Sequence, residues 1–158
     1  MFLITFALAA LAGCASRPPP VDRPPTPPPR TGSAEPVSEV AFMALALVGS
    51  PYASGGASPE VGFDCSGLVA YVYARALRRE LPRNTFDLAR TGAAVSEPQP
   101  GDLLFYNTQQ RPFSHVGIYL GESRFVHAPS SGGAVRIEDM RLAYWAKRFD
   151  GARRVVVD

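Results

Sequence analysis

The chain predicts an α+β fold, with helices packed on one face of an antiparallel sheet of about five strands. Apolar residues recur at helical spacing up to about Gly92, and after Pro100-Gly101 the period shortens towards two. Turn residues then cut the second half into short runs. Helices come first and strands afterwards, which segregates the two kinds of element instead of alternating them as a parallel sheet requires.

Each element has its own signal. "SEVAFMALALVG" reads as a first helix capped by Ser38, with Ala41, Leu45 and Val48 on one face. "GSPYASGGASPEVG" is a glycine- and proline-rich loop. A core helix begins near Asp64 or Cys65, with Leu68, Val69, Val72, Tyr73, Ala76 and Leu77 forming a broad apolar stripe. "LPRNTFDLARTG" offers Asn84 or Thr85 as the cap of a short helix that stops at Gly92. "DLLFYN", "HVGIYLG", "RFVHAP", "VRIED" and "RRVVVD" read as five strands in a meander, with "GES" from Gly121 as a tight hairpin. "MRLAYWAKRF" reads as a further turn or two of helix.

At 158 residues, 46% hydrophobic and 19% charged, the chain holds one domain with a real core. The net charge of +2, with a single Lys and no basic block, gives nucleic-acid binding little electrostatic support. Half of the sixteen prolines fall between Pro18 and Pro29, and they divide the chain into three parts. Residues 1–13 read as a secretory signal: the apolar run from Phe2 to Ala12 is too short to span a bilayer, although no Lys or Arg precedes it. The end of that run, "LAGC", resembles the bacterial lipobox, which implies lipidation of Cys14 and a membrane anchor through it. Ala15, where an aspartate would signal retention at the inner membrane, implies an outer-membrane address facing the periplasm. Residues 14–36 then form the lipidated N-terminus and an extended, solvated tether. Residues 37–158 are the folded domain.

Candidate chemistry centres on Cys65. With Cys14 consumed by lipid, Cys65 has no disulfide partner in the chain. It stands where a loop becomes a helix. There Asp64 can cap, first-turn amides and the helix dipole favour a thiolate, and the small Ser66-Gly67 pair leaves room for a substrate. The expectation is a lowered thiol pKa. A thiolate nucleophile needs an imidazole base and a group to orient that base. The chain has two histidines, His115 opening one strand and His127 closing the next, and a hairpin turning near Glu122 brings them together on one face. In this arrangement Cys65 attacks a carbonyl carbon, His115 moves the proton, and His127 fixes the tautomer of His115. The backbone N–H of Cys65 and the hydroxyl of Tyr52 are candidate oxyanion donors. A rival reading makes Cys65, His115 and His127 three ligands of a metal ion with an open position. A thiol at a helix start suits nucleophilic attack better.

The segments "GSPYASGGASPEVGFDCSGLVAYVYARAL", "LPRNTFDLARTG", "QPGDLLFYN", "SHVGIYLGESRFVHAPSSGGAVRI" and "ARRVV" resemble the NlpC-type bacterial cell-wall cysteine peptidases across essentially the whole domain. The resemblance implies a papain-like fold and a triad of Cys65, His115 and His127, with no cofactor and no metal. It implies hydrolysis of amide bonds in peptidoglycan stem peptides, at the D-glutamyl–diamino acid bond or the diaminopimelate–D-alanine bond. It further implies that Tyr52 lies near the oxyanion and substrate subsite, that Asp64 and Ser66 hold the stem peptide, and that Arg83 braces a loop. The partners expected are peptidoglycan and, through the lipid, a membrane, with the protein a monomer in the cell envelope. Two alternatives stay open: a catalytically silent wall-binding lipoprotein of the same fold, and an amidase or acyltransferase of a related fold.

Overall fold

The computed structural model describes residues 36–131 and 133–155. The expected signal, the lipidated Cys14 and most of the tether lie outside the described residues. The elements run α1 (Pro36–Ala46), β1 (Ala57–Ser58), β2 (Gly62–Phe63), α2 (Cys65–Leu77), α3 (Thr85–Leu88), β3 (Ala93–Val95), β4 (Leu103–Tyr106), β5 (His115–Gly121), β6 (Arg124–His127), β7 (Arg136–Asp139), α4 (Ala143–Ala146) and β8 (Phe149–Arg154).

The α+β layout holds, with one addition to the meander. The main sheet has six antiparallel strands in the order β3-β8-β4-β5-β6-β7. The last strand returns to lie between β3 and β4, and it begins at Phe149, earlier than "RRVVVD" suggests. Its burial is intermediate along most of its length, so the apolar run that flagged the strand marks its end and not its body. β3 was not expected. "AAV" is too short and too small to carry a period, and it becomes a strand because β8 offers an edge to pair with.

Alternation along β4 gives each face of the sheet its own core. Leu103 and Phe105 join Val116, Ile118 and Val126 beneath α1 and α2, where Leu68, Val69 and Val72 are wholly buried. Leu104 and Tyr106 point the other way and pack with Phe125, Ala152 and the single tryptophan, Trp145, on α4. The two long helices thus cover one face and the short α4 caps part of the other. The Tyr73 hydroxyl donates to the Gly101 carbonyl at 2.7 Å and ties α2 to the start of β4. At the same corner the buried Asp102 carboxylate receives Arg154 through Nε at 3.0 Å and Nη2 at 2.7 Å.

α1 departs from its expected phase. It begins at Pro36, so Ser38 lies inside the helix and is not its cap. Its buried face is Val40, Ala41 and Ala44, while Leu45 and Val48 are each 43% exposed. With apolar residues nearly all round, the sequence leaves the phase open, and the small Ala41 and Ala44 set it by letting α1 approach α2 closely. In α2, Leu68, Val69, Val72 and Tyr73 are the buried stripe, with Ala76 and Leu77 only partly covered.

Candidate active site

The start of α2 is built by its own loop. Asp64 adopts extended backbone as the N-cap, and its Oδ1 accepts from the Gly67 amide at 2.6 Å. Its Oδ2 accepts from the Gly55 amide at 3.0 Å, and Arg83 Nη2 stands 3.7 Å away while donating to the Gly55 carbonyl at 3.1 Å. Ser66 Oγ lies 2.6 Å from the Arg83 carbonyl and 2.9 Å from Asp64 Oδ1, and its one proton serves either acceptor. Asp64, Ser66 and Arg83 therefore form one brace around the first turn. Tyr52 sits alongside, its backbone bridged to Phe63 and its amide bound to the Gly133 carbonyl at 2.9 Å. The loop holding Tyr52 is thus pinned both to the strand that leads into Cys65 and to the segment before β7.

Cys65 is a half-buried free thiol. Burial pushes its pKa up, against hydrogen bonds from the amides of Val116, Ser66 and Cys65 itself, and the Asp64 charge adds to the rise. The expectation of a lowered thiol pKa is corrected here. The first-turn amides act as anticipated, but loss of solvent outweighs them. Cys65 packs against the core cluster that includes Val116 of β5, one residue from His115.

The two imidazoles lie on the Trp145 face of the sheet. Ile118 pairs with Val126 across the β5–β6 hairpin, so His115 and His127 are diagonal neighbours and not directly opposed. Gly117 stands between His115 and Tyr119 on the same face of β5. A Cβ there would come within 2.6 Å of the Phe125 ring, so glycine is what leaves room for Phe125 beside His127. The rings meet edge to face, with His115 Nε2 and His127 Nδ1 2.8 Å apart. His115 is 3% exposed and His127 1%. Trp145 stacks on His115 with centroids 5.9 Å apart and meets His127 edge-on at 5.0 Å. Phe125 closes in on His127 at 5.3 Å. This dry wall lowers the His115 pKa to about 4, by burial first and the Arg136 charge second. It lowers that of His127 to about 3, by burial, then His115, then Arg136. Both rings are neutral at neutral pH.

Stability depends on pH as a consequence. Above 6.5 the rings are neutral in folded and unfolded chains alike. Below it the unfolded histidines take up protons that the folded ones refuse until about pH 4 for His115 and about pH 3 for His127. Folding stability therefore falls as pH drops through that window. Urea midpoints measured at steps across it should decline steadily in the parent and more shallowly in His127→Gln. A parent profile flat from neutral pH to pH 4 contradicts the burial of the rings.

A cavity of about 620 Å³ opens beside the rings, lined by Thr108, His115, His127, Arg136, Glu138 and Trp145 among others, but not by Cys65. Trp145 and Glu138 are the members of this site that the sequence did not single out. Trp145 carried a signal as the lone tryptophan. Glu138 carried none beyond its place in a strand next to His127. The metal-centre reading required three ligands to converge, and among the described residues no group of three His, Cys, Asp or Glu side chains does so.

A cysteine at a helix start and two hydrogen-bonded histidines on the neighbouring hairpin belong to a recognised domain type, and the NlpC/P60 family model matches residues 49–154. The chain belongs to the NlpC/P60 family. It is 40% identical over 114 residues to the murein DD-endopeptidase MepH of Escherichia coli (strain K12), a match covering 69% of this chain and 42% of that protein. It is 42% identical over 111 residues to a gamma-DL-glutamyl hydrolase of Bacillus subtilis (strain 168), covering 68% of this chain and 26% of that one. The chain thus spans less than half the length of these two relatives. Among solved structures it resembles an NlpC/P60 family protein from Bacillus cereus ATCC 10987, with a TM-score of 0.70, 29% identity, and 77% of this chain and 40% of that one covered. The α+β architecture is that of the NlpC/P60 domain, and its papain-like class stands as expected.

Proposed function

We propose that the protein is a cysteine endopeptidase that cleaves amide bonds in peptidoglycan stem peptides through a thioester intermediate. One observation carries the assignment: Cys65 opens α2 and packs against the core cluster that holds Val116, one residue from a histidine whose far nitrogen is held 2.8 Å from a second histidine. With His115 Nε2 committed to His127, its Nδ1 is the nitrogen that receives the thiol proton. The thiolate attacks the scissile carbonyl carbon, and the charge developing on oxygen is met by the Cys65 amide and the Tyr52 hydroxyl. The imidazolium gives its proton to the leaving amine, the C–N bond breaks, and a thioester remains on Cys65. Water, deprotonated by His115, then hydrolyses the thioester and restores the thiol. The cavity beside the rings gives the leaving part of the peptide a place at His115, where its amine must be protonated.

The two relatives are named for different bonds, a murein DD-endopeptidase and a gamma-DL-glutamyl hydrolase, and the murein peptide is the substrate proposed for this chain. Asp64 and Ser66 serve the acyl side of the stem peptide through the brace that fixes the first turn of α2. Placement in the cell envelope follows from such a substrate. The anchor at Cys14, an outer-membrane address and a proline tether over residues 14–36 give the domain at residues 37–158 reach towards the wall. Among the described residues no helix is long and apolar enough to cross a membrane. Digestion of purified peptidoglycan followed by mass analysis of the fragments tests the assignment. New free amino and carboxyl ends within stem peptides are expected, and they name the bond. Cleavage confined to the sugar–peptide linkage, or no cleavage by a folded protein, overturns it.

A further inference from the structure

Glu138 of β7 lines the histidine cavity, and its Oε1 stands 4.0 Å from His127 Nε2. That nitrogen is buried and has no hydrogen-bond partner among the described residues. We propose that Glu138 is a positioning residue that accepts the Nε2 proton of His127 and thereby fixes the tautomers of both rings. The inference rests on the assignment of Cys65 as nucleophile and His115 as base.

The order of protons along the chain of groups requires such an acceptor. His115 receives the thiol proton on Nδ1, so that nitrogen must carry a lone pair in the resting enzyme. The single proton of neutral His115 is then on Nε2, and it is donated to His127 Nδ1 across 2.8 Å. His127, accepting on Nδ1, must carry its own proton on Nε2. A buried N–H in a wall of Trp145 and Phe125 is costly without an acceptor. Glu138 is the carboxylate within reach, and a small rotation of its side chain or one bridging water closes 4.0 Å to hydrogen-bond length. Thr108 Oγ1, in the same cavity, is a second buried polar atom without a partner among the described residues.

Arg136 explains why a carboxylate here does not simply draw a proton onto His127. Its Nε donates to the same Oε1 at 2.8 Å and offsets much of the negative charge. Glu138 then behaves as an acceptor with little net field at the rings.

The chain has only two histidines, so ring tautomers are readable directly. Long-range nitrogen–proton correlation spectra of the full chain at neutral pH, without substrate, should show both rings protonated on Nε2. Finding the His127 proton on Nδ1 overturns the proposal. Glu138→Ala should lower kcat by roughly tenfold with KM little changed, since a buried donor loses its acceptor at the base and not at the substrate. Glu138→Gln keeps an acceptor but breaks the ion pair with Arg136, and it should recover most of that loss. A Gln variant as slow as the Ala variant shows that the ion pair is what matters and overturns the proposal, as does an Ala variant as fast as the parent. A Cys65→Ala protein that still cleaves sinks the nucleophile assignment instead. The tautomers, read without substrate, then judge Glu138 independently.

Discussion

Cys65→Ala should abolish peptidoglycan hydrolysis, with kcat/KM on soluble stem-peptide substrates falling on the order of 10⁴-fold or more. Cys65→Ser should fall nearly as far. In many cysteine enzymes the nucleophile rests as a thiolate beside an imidazolium. Here burial raises the thiol and lowers His115 to about 4, so in the proposed mechanism the resting pair is neutral and the proton crosses only as attack begins. That transfer is uphill. It is helped by the amides of Val116, Ser66 and Cys65, which stabilise the anion, and by the attraction of the new ion pair in a dry site. A serine hydroxyl is less acidic still, so it gives up its proton less readily to the same base and is a poorer nucleophile. The parent's acid limb in kcat/KM should lie near pH 4, where His115 becomes protonated and can no longer act as a base. Activity should thus fall as pH drops through that value. Either substitution retaining activity within tenfold of the parent, with folding intact, removes Cys65 from the mechanism. An acid limb near 6.5 shows instead that the rings are more solvated than their packing against Trp145 indicates.

The pieces legible in the sequence are those where local chemistry and tertiary need coincide. Asp64 before Cys65 reads as a cap, and its carboxylate does bind the Gly67 amide. Asn84 reads as a cap, and its Oδ1 takes the Asp87 amide at 2.8 Å. The turn after Gly121 sets the hairpin, and a register irregularity after Tyr119 puts His127 opposite Gly117, on the same face as His115 and diagonal to it. What failed needed information from distant residues. The phase of α1 depends on what its face meets. The strand Ala93–Val95 exists only because the chain's last strand returns beside it. Trp145 looks like part of a surface turn until the sheet curls it onto the two imidazoles. The sign of the Cys65 shift could not be read locally, because it is a contest between nearby amides and a burial that many remote residues supply.

Gly67→Ala should be among the most disruptive single-atom changes available in the domain. Gly67 occupies the first turn of α2, two residues after Cys65, where a helix would ordinarily gain from alanine by about 1 kcal/mol. The structure reverses that sign. A Cβ at Gly67 would sit 1.9 Å from the Gly56 carbonyl oxygen and 3.1 Å from the Arg83 guanidinium. The Arg83 side chain can swing aside, but Gly56 cannot. Its carbonyl accepts the Asp64 amide at 3.0 Å, and its amide is bound to the Ala53 carbonyl at 2.9 Å. The contact is backbone against backbone, and relief requires the loop around Gly56 and the start of α2 to part. A stability loss of about 3 kcal/mol is expected, a large share of the ~5–15 kcal/mol typical of a domain. Gly55→Ala is the control. Its Cβ meets nothing within 4 Å, and only its φ of +73° penalises a side chain, so the expected loss is about 1 kcal/mol. Denaturant midpoints of the two variants should separate clearly, with Gly67→Ala far lower. Because the parting begins at the Asp64 cap, the remaining folded Gly67→Ala protein should also lose activity and show faster alkylation of Cys65. A Gly67→Ala protein as stable as the parent, with an unchanged alkylation rate, shows that the first turn of α2 is not clamped by the loop at Gly56.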